Sequence, residues 1–156
     1  MSPLAQTLLV PDAEDPEATT LELDELWSFV LKKSRKRWRW IALCRQTRQV
    51  AAYFIGDRSQ ASCQKLWERI PAAYKSGHCN SDFWEADSLV LPAEHHTAAG
   101  KETSLTAHVE RWNNTVRQRL GRFVRKSSSF SKSEKIHEIC LRLFLHRYNL
   151  ALASPD

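Results

Sequence analysis

The sequence predicts an α/β fold built on a five-stranded mixed sheet with helices on both faces. Three β-type segments follow one another through short links, which indicates an antiparallel meander. A segment with a capping serine at its start and a proline at its end then predicts a helix. Two shorter β-type segments and two long helix-type segments complete the chain. Alternating short strands and helices of this kind are typical of α/β proteins.

Local patterns justify each element in order. The segment L-E-L-D-E-L-W-S-F-V (21–30) keeps apolar residues on one face, with Glu25 between them. The basic run 32–37 predicts a turn. Ser59 is placed to cap a helix that Pro71 ends. The predicted strands are 21–30, 37–44, 49–56, 78–82 and 94–99, and the predicted helices are 60–70, 83–91, 104–121 and 133–152.

The resulting order, β-β-β-α-β-α-β-α-α, matches the ribonuclease-H-like architecture, in which the first and fourth strands are neighbours. Residues 1–20 are rich in Pro, Ala, Thr and acidic residues and have no periodic pattern. Such a composition predicts an acidic flexible tail or linker. The ribonuclease-H-like catalytic domain is therefore expected over residues 21–152.

The composition is that of a globular protein with one core. With 156 residues, 42% hydrophobic and 26% charged, the chain has room for one ordinary domain. No apolar run approaches the roughly 20 residues that span a bilayer, and the start has no basic segment typical of a secretory signal. A cytoplasmic protein is therefore expected. The cysteines form no C-x-x-C pair, which predicts reduced thiols rather than a zinc site or disulfides: Cys44, Cys63, Cys79 and Cys140.

Charge is distributed unevenly along the chain. Residues 1–25 hold seven of the 18 acidic residues and no Lys or Arg. The remaining 131 residues carry 23 basic against 11 acidic residues, a formal net charge of +12. Clustered Lys and Arg gain affinity for a phosphate backbone by releasing its counterions, so the excess favours nucleic acid as a partner. A highly soluble basic domain is the alternative.

Three acidic residues occupy positions that a solvated surface charge would not need. Asp24 falls inside the first strand, Asp82 ends the fourth, and Glu110 lies among apolar residues of a long helix. Three adjacent carboxylates repel each other and tend to take up protons. Divalent cations remove that repulsion, and two Mg²⁺ ions can promote phosphoryl transfer. Each acid alone could be structural or capping; together they predict a magnesium site.

The helix that carries Glu110 adds polar residues suited to phosphate. Asn113, Asn114 and Arg117 follow within two turns, and Glu110, Asn114 and Arg117 share a face. Arginine suits phosphate because its planar fork donates two hydrogen bonds; a solvated Glu-to-Arg stripe is the alternative. The run 117–133 is dense in Arg, Lys and Ser, which either contacts DNA phosphates or forms a basic loop. The predicted DNA-binding residues are Asn113, Asn114, Arg117, Arg119, Arg122, Arg125, Lys126 and Lys132, with Lys33, Arg35, Lys36 and Arg37 of the basic turn.

Five stretches in order resemble the IS-one-type insertion-sequence transposases, bacterial enzymes with a DDE catalytic triad. The stretches are L-D-E-L-W-S-F-V (23–30), K-S-R-K-R-W (33–38), S-D-F-W (81–84), V-E-R-W-N-N-T-V-R-Q (109–118) and R-K-S-S-S-F-S-K-S (125–133). The resemblance implies that Asp24, Asp82 and Glu110 form the triad and bind Mg²⁺, with Mn²⁺ as a substitute and about two ions per site. It also implies cleavage of element ends and their transfer to double-stranded target DNA, by a homo-oligomer assembled on DNA.

Full-length transposases of this family begin with a zinc-finger and helix-turn-helix region. This sequence has an acidic segment there without paired cysteines, so it is expected to be the downstream catalytic part, working with an upstream DNA-binding protein or fused region, or a shortened relative. Two other functions stay open: a ribonuclease-H-like nuclease or resolvase that only hydrolyses, and a non-catalytic DNA-binding remnant of a transposon. His108-x-Glu110 has the H-x-E form of a deaminase, but no P-C-x-x-C completes a zinc site.

Overall fold

One mixed sheet of five strands forms the centre of the molecule. The computed structural model describes residues 3–81, 90–98, 103–120 and 131–154. The spatial order of the strands is β3-β2-β1-β4-β5, and the predicted five-stranded mixed sheet is confirmed. The strands are β1 (Leu21–Phe29), β2 (Lys36–Cys44), β3 (Val50–Gly56), β4 (Cys79–Ser81) and β5 (His96–Ala98), and the helices are α1 (Gln60–Arg69), α2 (Ala72–Lys75), α3 (Ala107–Arg119) and α4 (Glu134–Ala153).

Strand β1 lies in the middle of this sheet. On one side it pairs with β2 in antiparallel register, with Asp24 opposite Ile41. On the other side it pairs with β4 in parallel register, with Leu23 opposite Ser81. The meander β1-β2-β3 follows from short links, whereas the parallel β1-β4 pair needs the longer crossover through α1 and α2, because parallel strands cannot be joined by a tight turn.

Each face of the sheet buries a separate apolar cluster. Trp40 and Ala42 of β2 face the layer that contains α1 and α2, whereas Ile41 and Leu43 face the layer that contains α3 and α4. Successive side chains of a strand point to opposite faces, so a strand buried on both faces has a continuous apolar run, as in W-I-A-L-C (40–44). Helices therefore cover both faces, as predicted.

The first 20 residues, for which the sequence predicted a flexible tail or linker, contact the body of the protein from Pro3 onward. They contain two 3-10 helices, Pro3–Thr7 and Pro16–Thr19. Leu4 is only 2% exposed and joins the α3–α4 cluster. Asn149 of α4 donates through Nδ2 to Thr7 Oγ1 at 2.9 Å. The segment contains apolar residues as well as acidic ones, and Leu4 and Ala18 are buried against the rest of the protein.

Element boundaries agree with the sequence predictions to within three residues wherever the structure describes them. The short helix α2 and a 3-10 helix at Ala93–His95 were not predicted. The predicted helix 83–91 lies almost entirely outside the described residues. Cys44, Cys63 and Cys79 are buried and Cys140 is half-buried, and all four are reduced thiols. None of the described helices combines the length and apolar character needed to span a bilayer.

Candidate active site

Asp24 sits half-buried at the centre of the sheet, on the face that α3 covers. Its Oδ2 accepts a hydrogen bond from Nδ2 of Asn113 at 2.5 Å, and its Oδ1 accepts one from the backbone N–H of Glu25 at 2.9 Å. A carboxylate among apolar neighbours requires such donors, because burying an unsatisfied charge is costly. The two bonds fix the orientation of the carboxylate relative to α3.

A buried arginine completes this hydrogen-bond chain. Arg39 of β2 is 2% exposed, and its Nη2 donates to Oδ1 of Asn113 at 2.7 Å. Its guanidinium also lies 5.6 Å from the ring centroid of Trp112. Burial lowers the pKa of Arg39 to about 9; the negative charge of Asp24 opposes this shift and the positive charge of Arg117 adds to it. Arg39 therefore puts a positive charge beside the Asp24 carboxylate.

Glu110 lies in the first turn of α3, half-buried and three residues before Asn113. Its Oε1 accepts a hydrogen bond from Oγ1 of Thr106 at 3.0 Å, so the side chain at the N-cap position of the helix holds the carboxylate. Residues three apart on a helix are neighbours on its surface. The bond between Asn113 and Asp24 therefore keeps the helix turn that carries Glu110 close to β1.

A second buried carboxylate lies two residues before Asp24 on the same strand. Glu22 is fully buried; it accepts hydrogen bonds from the backbone N–H of His108 at 2.9 Å and from His108 Nδ1 at 2.7 Å. An ionised carboxylate can only accept, so Nδ1 carries the proton. The start of α3 is thereby fastened to β1, and His108, which resembled part of a deaminase motif, is a partner of Glu22.

The sheet edge beside β1 carries two histidines. Ser81, the last residue of β4, contacts His96 Nε2 through its hydroxyl at 2.6 Å. His78 Nε2 lies 2.6 Å from the hydroxyl of Thr97. Burial, reinforced by the nearby His78, lowers the pKa of His96 below its usual value. The lowered pKa keeps the His96 imidazole neutral near neutral pH.

The third predicted carboxylate, Asp82, lies outside the described residues, as do the predicted DNA-binding residues Arg122, Arg125 and Lys126. Within the described parts of the chain, no three His, Cys, Asp or Glu side chains come together in a group that could hold a metal ion. The structure thus brings the strand of Asp24 and the helix of Glu110 together, and it leaves the complete triad undescribed.

The predicted phosphate-contacting residues of α3 take two different positions. Asn113 is 4% exposed and bonded within the protein to Asp24 and Arg39, which differs from the expected contact with phosphate. Asn114 is exposed and accepts from Nη1 of Arg117 at 3.4 Å, so these two share a face as predicted. Arg119 and Lys132 are exposed.

The basic turn before β2 is partly neutralised by the start of α4. Arg35 and Arg37 both form ion pairs with Glu134, the former at 3.0 Å. These two arginines hold the pKa of Glu134 below its usual value. Lys36 lies with its Nζ 4.5 Å from the ring centroid of Trp27, and Lys33 is exposed.

Three residues around Asp24 were not predicted from the sequence: Arg39, Glu22 and His108. A usable signal existed for Arg39, because it shares a strand face with Ile41 and Leu43 and so places a cation on an apolar face. Glu22 alternates with Leu21 and Leu23, which is the pattern of a solvent-facing acid, so its burial could not be predicted from the strand alone. No local pattern linked His108 to Glu22, since the contact joins residues 86 positions apart.

Comparison with known proteins identifies the family. The sequence profile of the IS1 transposase family matches residues 18–150. The iso-IS1n protein InsB of Shigella dysenteriae is 36% identical over 131 residues, which cover 84% of this chain and 97% of that protein. The IS1 protein InsB of Shigella flexneri is 34% identical over 80% of this chain and 92% of its own length. An IS1 protein InsB of Escherichia coli K12 is 32% identical over 80% of this chain and 72% of its own.

The match with the family profile covers β1 to α4 and therefore every described side chain around Asp24. The relatives match the chain over a similar length, at identities above 30%. On these grounds the chain belongs to the IS1 transposase family.

Proposed function

We propose that this chain cleaves DNA strands and transfers them to target DNA, with Asp24, Asp82 and Glu110 as its catalytic carboxylates. The observation that carries the proposal is the hydrogen bond from Asn113 to Asp24. It ties the helix that carries Glu110 to the central strand that carries Asp24. Membership of a transposase family supplies the reaction class, and this contact supplies a reason why these acids act together.

The sheet supports a ribonuclease-H-like domain over residues 21–152. Strands β1 and β4 are adjacent and parallel, with Ser81 level with Leu23. Asp82 follows Ser81 directly in the chain, and Asp24 follows Leu23. An arrangement in which two neighbouring strands lead to acidic residues suits a pair of metal-binding carboxylates, and α3 supplies the third from above the same strand.

The chemistry of these side chains fits Mg²⁺, with Mn²⁺ as a substitute. Asp24 and Glu110 present hard carboxylate oxygens, which Mg²⁺ prefers, and both are oriented by hydrogen-bond donors. Asp24, Asp82 and Glu110 would hold the ions. Two such ions, when bound, supply activation of the attacking hydroxyl and stabilisation of the leaving oxygen.

The other residues of the site position the reacting groups. Asn113 holds the Asp24 carboxylate in one orientation, and the positive charge of Arg39 favours the ionised form of that carboxylate, which metal binding needs. Asn114 and Arg117, on the neighbouring exposed face of α3, are available to a DNA phosphate. These contacts would orient the phosphodiester without reading its sequence.

The proposal extends to the assembly. Double-stranded DNA is the substrate, both as element ends and as target, in the bacterial cytoplasm. Pairing two ends requires more than one active site, so the chain is expected to act as a homo-oligomer on DNA. An upstream DNA-binding region, fused or separate, would find the element ends.

A strand-transfer assay tests the proposal. The full chain is incubated with Mg²⁺ or Mn²⁺, a linear duplex carrying the ends of its element, and a supercoiled target plasmid. We expect joined products from the wild type and a loss of at least about 100-fold in Asp24→Asn and Glu110→Gln, a loss typical of removing an essential electrostatic group. Glu68→Gln is the matched control, because Glu68 is exposed on α1 and removed from this face of the sheet.

The outcomes separate the rival functions. Cleavage without joining would identify a nuclease that only hydrolyses. DNA binding without any cleaved or joined product from the wild type would leave a DNA-binding remnant. Unchanged activity in Asp24→Asn, with far-UV circular dichroism equal to that of the wild type, would contradict the triad. Equal loss in Glu68→Gln would show that the effect is not specific to the site.

A further inference from the structure

A small pocket lies on the opposite side of α3 from Glu110. It has a volume of about 190 Å³ and is lined by Leu43, Arg48, His108, Arg111, Trp112, Thr115 and Tyr148; we call it the Arg48 pocket. Its volume is below the roughly 300–1,000 Å³ of pockets for drug-sized ligands. It suits one phosphate-sized group. Its described lining includes two arginines and a histidine and no carboxylate.

Helix α3 presents this pocket separately from the candidate active site. His108, Arg111 and Thr115 are spaced by three and four residues, so they form one stripe along the helix. At roughly 100° per residue, Glu110 and Arg117 lie about 180–200° around the helix from His108. A ligand in the Arg48 pocket therefore occupies a different surface from a phosphodiester held beside Asp24.

Arg48 is built into the pocket by the backbone around it. It lies in the turn between β2 and β3 with φ at 66°, the left-handed region that non-glycine residues rarely adopt. Its backbone N–H donates to Cys44 O at 2.9 Å, and its carbonyl accepts from the hydroxyl of Tyr148 at 2.8 Å. Strained backbone of this kind persists only where the surroundings determine it, and it concentrates at functional sites.

Two residues that line this pocket each carry a buried side-chain N–H group with no acceptor within the described residues. One is Nη1 of Arg48, and the other is the indole N–H of Trp112, a residue that is only 4% exposed. Across the same described part of the chain, the Arg111 side chain forms no ion pair with a carboxylate. Buried donors are normally satisfied, so these donors, beside cationic side chains, call for an anionic acceptor.

We propose that the Arg48 pocket binds a backbone phosphate of DNA, at a second contact site distinct from the catalytic face of α3. The inference rests on the proposed function in that DNA is the partner. Arginine forks and an indole N–H match the oxygens of a phosphodiester. Leu43 and Tyr148 exclude water from one side of the pocket, which strengthens these bonds. Occupation of both faces of α3 would let one chain contact two stretches of DNA.

The salt dependence of DNA binding tests this proposal. Each phosphate contact contributes about 0.9 to the slope of log K against log salt concentration. Arg111→Gln removes an exposed guanidinium, and Arg48→Asn removes the half-buried one while keeping a residue that tolerates the left-handed region. We expect each to reduce the slope by about 0.9 and to weaken binding equally for unrelated duplex sequences. Lys65→Gln, an exposed lysine on α1 across the sheet, is the charge-matched control.

Several outcomes of these measurements would overturn the proposal. Slopes unchanged in both variants, a reduction no larger than that of Lys65→Gln, or no measurable DNA binding by the wild type would overturn the site. Inorganic phosphate that binds the wild type but not Arg111→Gln, with the DNA slope unchanged, would show a site for free phosphate and overturn the DNA assignment. Cleavage at saturating DNA is expected to persist in Arg111→Gln. Asp24→Asn is expected to lose cleavage and to keep the salt-dependence slope of DNA binding. The catalytic proposal and the pocket proposal can therefore fail independently.

Discussion

Asn113 joins Asp24 to Arg39 by using both ends of its amide. Its Nδ2 donates to the aspartate and its Oδ1 accepts from the arginine, at 2.5 and 2.7 Å. An amide can bridge an anion and a cation in this way because it carries a donor and an acceptor on one rigid group. The contact links two charges of opposite sign within an apolar layer of the protein.

Replacement of Asn113 by alanine is expected to lower the free energy of unfolding by about 1–3 kcal/mol, because a buried arginine donor and a carboxylate acceptor lose their shared partner. Urea denaturation measures this change. The exposed neighbour provides the control: Asn114→Ala should stay within about 0.5 kcal/mol of the wild type. Strand transfer should fall in Asn113→Ala even where the protein is fully folded. Wild-type stability and activity in that variant would show that Asn113 does not orient Asp24.

Replacement of His108 by alanine is expected to cost about 2–4 kcal/mol. The variant leaves the fully buried Glu22 with the backbone N–H of residue 108 as its remaining donor among the described residues, and removing the partner of a buried charge costs about 3–5 kcal/mol. The expected loss is smaller because the His108 side chain is 23% exposed. Thermal or urea unfolding gives the value. Adding Glu22→Gln to the variant should restore part of the stability, since an uncharged amide needs less compensation; a further loss would contradict the assignment of Glu22 as an ionised partner.

Replacement of Glu134 by glutamine is expected to tighten DNA binding and to steepen its salt dependence, because Arg35 and Arg37 lose their carboxylate partner. The pKa of Glu134 is lowered in the folded protein, so its contribution to stability is present above its usual value and is lost as the pH falls through the folded value. The contribution is small, below about 1 kcal/mol, because the pair is solvent-exposed. Fluorescence anisotropy with labelled duplex measures the binding. Equal affinity of variant and wild type would indicate that the basic turn lies away from DNA.

Replacement of Asn149 by alanine is expected to loosen the N-terminal segment and to destabilise the fold by at least about 2 kcal/mol. The fully buried Asn149 side chain bonds the N–H and C=O of Val50 and the hydroxyl of Thr7, and unsatisfied buried groups each cost about 1–3 kcal/mol. Limited proteolysis should cut the variant within residues 3–20 faster than the wild type. The exposed Asn114→Ala, the same substitution on α3, serves as control. Equal cutting rates would mean that the segment is held by other contacts.

Much of the fold could be predicted because the local patterns agree with the tertiary structure. The alternation of β2 between two apolar faces and the cap at Ser59 are both encoded within a few residues. The packing of residues 3–20 could not be predicted in the same way. The sequence around Leu4 and Thr7 has no pattern that predicts their burial. Their burial depends on contacts with Gln49 and Asn149, which lie far along the chain.

Some residues of the candidate site could likewise be predicted from the sequence, and others could not. Asp24 and Glu110 stand out by being acidic among apolar residues, so sequence reasoning could select them. The inward orientation of Asn113 could not be selected, because on the helix surface it lies between the buried Trp112 and the exposed Asn114. The orientation of the Asn113 amide is set by Arg39 on β2, which donates to its oxygen, and this contact is not visible in the sequence.

Helix α3 is fastened to β1 at two levels, at Glu22 through His108 and at Asp24 through Asn113. Five helix residues advance about 7.5 Å, and two strand residues advance about 6.8 Å, so the two spacings nearly coincide. Inserting or deleting one residue between 108 and 113 would rotate everything downstream by about 100° and separate one of the two attachments. Length, rather than the identity of any single side chain, is thus the constrained property of this stretch. Across divergent relatives, substitutions should accumulate on its exposed face while its number of residues stays constant.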